Sequence, residues 1–221
     1  MEFLQQIVNG PVIFAAAIIL LFVLRENHRK WNVALRHFNT TRDHAVFRDN
    51  LIPLSRQKLN IVVEMKAQVN LTWVYSYLGQ SDEAKSVCRQ VIEKNKNLIG
   101  TTMAYTVLVQ ELMLEHQWEE AKKVWTEAME IGDADGLKAP TESFKLHLFG
   151  YILRQEYEQG LQMLLDPPRQ HEHWAQESEA GIFWTWYLYR VLERDTALYE
   201  QKLQELPLKH QGMVRAMENM T

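Results

Sequence analysis

Two patterns of apolar residues divide the chain. Val12–Leu24 (VIFAAAIILLFVL) is an unbroken apolar run of 13. Beyond residue 54 the apolar positions instead recur every three or four residues, as in Leu59, Val62, Val63, Val69 and Trp73. That spacing predicts helices that bury one stripe. The run extended back to Phe3 predicts a first helix of 22 residues without charge, continued by the stripe Trp31, Leu35 and Phe38. A short helix over 41–50 follows, with Ala45, Val46 and Leu51 inward, and Pro53 separates it from a long helix ending near Gly79. The remaining stripes, read with their Gly, Pro and acidic first-turn punctuation, predict helices at 82–95, 102–116, 118–131, 141–154, 157–165, 174–193, 196–206 and 208–219.

Two of these hairpins are one pattern written twice. Leu71, Tyr75, Gly79, Ala84 and Val91 in the first answer to Leu108, Leu112, His116, Ala121 and Ala128 in the second. Ala84 and Ala121 lie 37 positions apart, each after a polar turn; Gly160 follows 39 further on and Ala197 another 37. A small residue suits the point where the two helices of a hairpin cross closely. The pattern resembles the tetratricopeptide repeat, a helix–turn–helix of about 34 residues. The likeness is fair over 66–166 and poor over 174–206. The Trp-Leu-Gly-Tyr signature is intact in no copy, and His147 stands where a leucine is expected.

The resemblance implies an all-α chain: a right-handed α-solenoid of stacked antiparallel hairpins over 41–221, after an anchor and juxtamembrane helix over 1–40. The hairpins are expected at 66–96, 102–131, 141–166 and 174–206, with 208–219 as a capping helix, since a solenoid's last repeat otherwise leaves an apolar face bare. It also implies a concave groove lined by each hairpin's leading helix. Carried over position by position, that groove would hold Trp73, Tyr77, Gln110, Met113, Lys145, Phe149 and Ile152. Some relatives grip a partner's terminal carboxylate with Lys, Asn and Arg; here the corresponding positions are Val69, Trp73, Val107, Glu142 and Leu146, which suit a helix or extended apolar segment instead.

The apolar run predicts a membrane anchor. Twenty-two uncharged residues rise roughly 33 Å as a helix, enough to cross a bilayer. Val12, Phe14, Ile18, Leu21 and Leu24 would face lipid and Trp31 the headgroups. Positive charge follows the run and none precedes it, so the positive-inside rule places the amino terminus outside and residues 25–221 in the cytoplasm. Such a layout is similar to bacterial inner-membrane repeat adaptors.

Charge narrows the partners. The net charge is −4, and residues 1–40 hold Arg25, Arg29, Lys30 and Arg36 against Glu2 and Glu26, so the acidic excess falls on the rest. An acidic body is a poor match to nucleic acid. The single cysteine, Cys88, occupies an apolar helical position and reads as core. No phosphate loop, His-Glu-x-x-His or Gly-x-Ser-x-Gly occurs. His171 and His173 stand two apart and so share no helical face. The sequence therefore points to a non-enzymatic scaffold without cofactor or metal, holding a protein partner at a membrane. The alternative is a structural or assembly subunit of a membrane complex, its first helix packed on other subunits.

Overall fold

The computed structural model describes residues 2–94, 99–135, 140–205 and 209–220, with side chains from residue 17 onward. The described residues are helical almost throughout and contain no strand. The helices are α1 (Glu2–Thr41), α2 (His44–Leu54), α3 (Ile61–Tyr77), α4 (Ser81–Lys94), α5 (Ile99–Leu114) and α6 (Trp118–Asp135). They continue with α7 (Pro140–Leu153), α8 (Tyr157–Leu165), α9 (Glu179–Val191), α10 (Ala197–Glu205) and α11 (Gln211–Met220). Between α8 and α9 lie a single 3-10 turn, Arg169–His171, and a short π-helix, His173–Glu177. The chain divides into two compact units, residues 1–71 and 72–221, and the division falls within α3.

In the first unit α1 and α2 form an antiparallel pair. The face that α1 buries is Trp31, Ala34 and Phe38, spaced three and four apart. Phe38 stacks on Phe47 of α2 with ring centroids 4.5 Å apart. Asp43 caps α2, its carboxylate accepting from the Val46 N–H at 3.0 Å. Pro53 lies inside the last turn of α2 rather than breaking it, and the buried residues are Phe47, Leu51 and Leu54 in place of Ala45 and Val46. Asn27 and Asn60 tie the turn before α3 to α1, through Gln57 Oε1 and the Leu24 carbonyl.

The structure overturns the expected membrane anchor. Among the described residues no helix is long and apolar enough to cross a membrane. The uninterrupted run of 13 residues rises about 20 Å, against about 30 Å of hydrocarbon. The same helix then carries straight on through Arg25, Glu26, Arg29 and Lys30, with Glu26 held by Arg29 at 2.7 Å. Trp31, placed among headgroups by the sequence, is buried. Ile18 and Leu21 are exposed and Leu24 half-buried, while the side chains of Val12 and Phe14 lie outside those described. The single-pass topology and its cytoplasmic assignment go with the anchor.

In the second unit the hairpins follow in a solenoid-like series: α5 packs on α4, α6 and α7, and α9 on α8 and α10. What repeats most faithfully is the turn. Gly79, His116, Gln155 and Glu193 all take the left-handed conformation, with φ of 71°, 59°, 60° and 53°. Each donates its N–H to the carbonyl three residues back, and the next residue donates to the one five back: Gln80 to Tyr75, Gln117 to Leu112, Glu156 to Tyr151, Arg194 to Tyr189. This double closure satisfies the orphan carbonyls that end the leading helix. Five residues on, Ala84, Ala121 and Gly160 are buried at the crossings. In the fourth hairpin that place falls to Leu198, which is exposed, so α10 keeps the turn and loses the close crossing.

Candidate functional site

The side chains that depart from the repeat mark the site. Five residues before each left-handed turn stands Val74, Glu111, Gly150 or Leu188, and all four are buried. Three are apolar. Glu111 is a carboxylate with 1% of its surface exposed, and burial pushes its pKa up, only partly offset by its hydrogen bond from Ser76. A buried carboxylate costs several kcal/mol unless polar partners surround it.

Those partners come from α3 and from the carboxyl-terminal segment. Ser76 Oγ donates to Glu111 Oε1 at 2.6 Å and lies 2.9 Å from His210 Nε2. All three residues are buried. His210 stands just before α11, and its Nδ1 accepts from the Met213 N–H at 3.3 Å. That N–H also donates to the His210 carbonyl at 3.0 Å. The Gln110 side-chain nitrogen, Nε2, lies 3.3 Å from His210 Nε2. The His210 backbone N–H donates to Glu179 Oε1 of α9 at 2.5 Å. The ring of Tyr77 meets the imidazole edge-on at 5.8 Å, and its hydroxyl pKa is pushed up to about 12 by burial and by the Glu179 carboxylate.

A Ser, a His and a Glu within hydrogen-bond reach invite comparison with a hydrolytic triad, but the donors run the wrong way. Nucleophile activation needs an imidazole nitrogen that accepts the hydroxyl proton. Here the single Ser76 hydroxyl proton goes to the Glu111 carboxylate and not to the imidazole. The arrangement is a chain of contacts that links the segment before α11 to α3 and α5.

Helix α11 rests on the face made by α5 and the end of α3. Gly212, Met213 and Ala216 are its buried residues. Arg215 Nη2 donates to the Gly79 carbonyl at 2.8 Å, at the negative end of the α3 dipole. Gly79 explains itself by this contact rather than by its φ, since His, Gln and Glu serve the same turn elsewhere. A Cβ at Gly79 would stand 2.7 Å from Gln211 Cβ. A cleft of about 360 Å³ runs beside α11, walled by Glu111, Glu115 and His116 on one side and by Arg215 and Asn219 on the other. The expected capping helix thus lies on the leading helices of the first two hairpins.

The groove residues named from sequence divide. Tyr77 and Gln110 meet at His210, and Trp73 is half-buried on the same helix as Tyr77. Lys145 stands apart, bound to Glu142 at 2.8 Å and over the ring of Trp174 at 5.5 Å. Met113, Phe149 and Ile152 are buried and do not line an open surface; Phe149 packs on Trp184 at 5.2 Å, because neighbouring leading helices cover one another. Trp184 and Trp186 are both buried, since α9 is enclosed over residues 181–188. Glu111 and His210 are the residues that sequence reasoning missed. The available signal was a glutamate in an apolar register, Leu108–Met113, within an identified repeat.

The other candidates resolve simply. Cys88 is fully buried, and burial raises its thiol pKa well above the ordinary value. His171 is buried against Phe144 at 4.6 Å, whereas His173 is exposed and bonded to Glu177 at 2.9 Å. Among the described residues no three His, Cys, Asp or Glu side chains gather closely enough to hold a metal ion. No family model, no curated protein and no solved structure matches the chain.

Proposed function

We propose that the chain is a non-enzymatic helical-repeat scaffold, tetratricopeptide-like in kind, that binds a protein partner on the face of its leading helices around Trp73, Tyr77 and Gln110. The observation that supports this reading is Glu111. A hairpin stack completes its own interior with apolar residues, as Val74, Gly150 and Leu188 do at the same place. The carboxylate there is met by Ser76 of α3, whose hydroxyl oxygen is in turn reached by His210 from the segment before α11. A surface built to accept one helix has the shape and chemistry of a helix-in-groove site.

Photo-crosslinking tests it. A photoreactive amino acid at Tyr77, against a control at the exposed Lys122 on α6, is expected to give a discrete protein adduct from Tyr77 alone. Equal adducts from both positions, or none from either, would refute the reading.

A second reading rests on a different observation. α1 exposes Ile18, Ile19, Leu20, Leu21 and Phe22, between 43% and 69% each. A helix apolar on every side needs cover, and a second subunit would supply it, making the chain an assembly component. A single inseparable complex of fixed stoichiometry on gel filtration favours this reading over the scaffold.

A further inference from the structure

We infer that α11 is a built-in stand-in for the partner: the chain's own helix occupies the acceptor surface, and the partner is a helix of the same chemistry that enters by displacing it. This rests on the scaffold reading and goes beyond it, because it names the occupant and makes access conditional.

The seating of α11 is specific in its polar contacts and thin in its apolar ones. The specific part is three groups placed to receive it. Glu179 takes the His210 backbone N–H, Ser76, itself bonded to Glu111, meets the imidazole, and the Gly79 carbonyl receives Arg215. Gly79 leaves room for Gln211, where every other copy of the turn carries a side chain. The thin part is the apolar burial. Among its described side chains α11 buries Gly212, Met213 and Ala216, and Val214 and Met217 remain half-exposed. α9, by contrast, buries eight consecutive residues from Gly181 to Leu188. Elements with few buried apolar contacts are the ones that open locally, without global unfolding.

The contacts spell out what a competing helix must carry. It needs a hydrogen-bond donor one residue before its first turn, as at His210. It needs a small residue two positions on, where Gly212 lies beside the His210 ring and Leu114, methionine or a similar side chain three on, and alanine six on. It needs a cation five on, to reach the carbonyl that ends α3. An intramolecular helix is present at high effective concentration, so a free one competes only as far as α11 is released.

The experiment uses the full chain and a fluorescent synthetic peptide of residues 209–221. The variant H210A/R215A weakens the resident helix and leaves the acceptor residues untouched. By fluorescence anisotropy the variant is expected to bind the wild-type peptide at least tenfold more tightly than the wild-type chain does. A peptide carrying H210A should lose at least tenfold. Equal binding to both chains, or binding to neither while the variant keeps its circular dichroism and Tm, overturns the inference. Hydrogen exchange on the wild-type chain decides independently of any variant: the amides of Ala216 and Met217 are expected to exchange at least tenfold faster than those of Leu112 and Met113 in α5. Equal protection overturns the inference as well. The two readings fail separately. A Tyr77 adduct that persists under saturating peptide sinks the stand-in and spares the scaffold; peptide binding with no Tyr77 adduct does the reverse.

Discussion

Five residues before the left-handed turn that ends each leading helix, α5 carries Glu111 and α9 carries Leu188, and both side chains are buried. The backbone around them is the same, with φ of 59° at His116 and 53° at Glu193 and the same pair of closing hydrogen bonds. Leu188 completes an apolar interior and lies close to Gly160 of α8. Glu111 faces Ser76 and, through it, a helix delivered from the far end of the chain. Repeat geometry is therefore held by the turn, and the side chain in the common register is free to close the stack or to receive something. Where it receives, polar groups from three helices and the carboxyl-terminal segment converge.

Exchanging the two roles gives the largest effect. Leu188→Glu places a carboxylate where no donor waits and is expected to cost about 3–5 kcal/mol, seen as a lower urea midpoint at pH 7. A loss smaller than that of a routine surface change would mean that the α9 position is not the closed interior described here.

Removing the donor in α3 comes next. Ser76→Ala leaves Glu111 with a deficit and should cost about 1–3 kcal/mol at neutral pH. The sign of the pH dependence follows from burial. Glu111 titrates above its ordinary 4.5 in the folded chain, so the native state binds the proton more readily than the unfolded one. The stability this gives is fully present below 4.5 and is lost as the pH rises through the raised value. The Ser76→Ala deficit should therefore shrink on acidification toward pH 4.5. Glu111→Gln, which keeps an acceptor oxygen, should flatten that contribution in chemical denaturation across pH 4–7.

The smallest effect tests the turn itself. Gln155→Gly and Glu193→Gly each relieve a left-handed non-glycine residue and should raise stability by less than about 1 kcal/mol. A loss at both would show that those side chains contribute contacts beyond the backbone conformation.

The repeat was legible because helix period, small crossing residues and acidic first turns are local signals. Ala84, Ala121 and Gly160 announce three hairpins without any tertiary information. The fourth was faint, since its evidence lies in the backbone at Glu193 and Arg194, while Ala197 is exposed and Leu198 takes the crossing position. The apolar run before Arg25 misled, because run length is read without knowing what the rest of the helix does. Met113, Phe149 and Ile152 share a helix stripe with residues that stay half-exposed, and period alone does not separate a face covered by the next hairpin from one left open.

By itself the sequence determined the helical class, the hairpin order and the small residues at the crossings, all of which depend on neighbours within a turn or two. Only the tertiary structure decided that residues 134 positions apart, Ser76 and His210, would meet over a buried carboxylate. It also decided that Gly79 makes room for a helix as well as turning the chain. The physical reason is range: a stripe needs only its own helix, whereas a buried charge needs partners whose identity is fixed by where the chain returns.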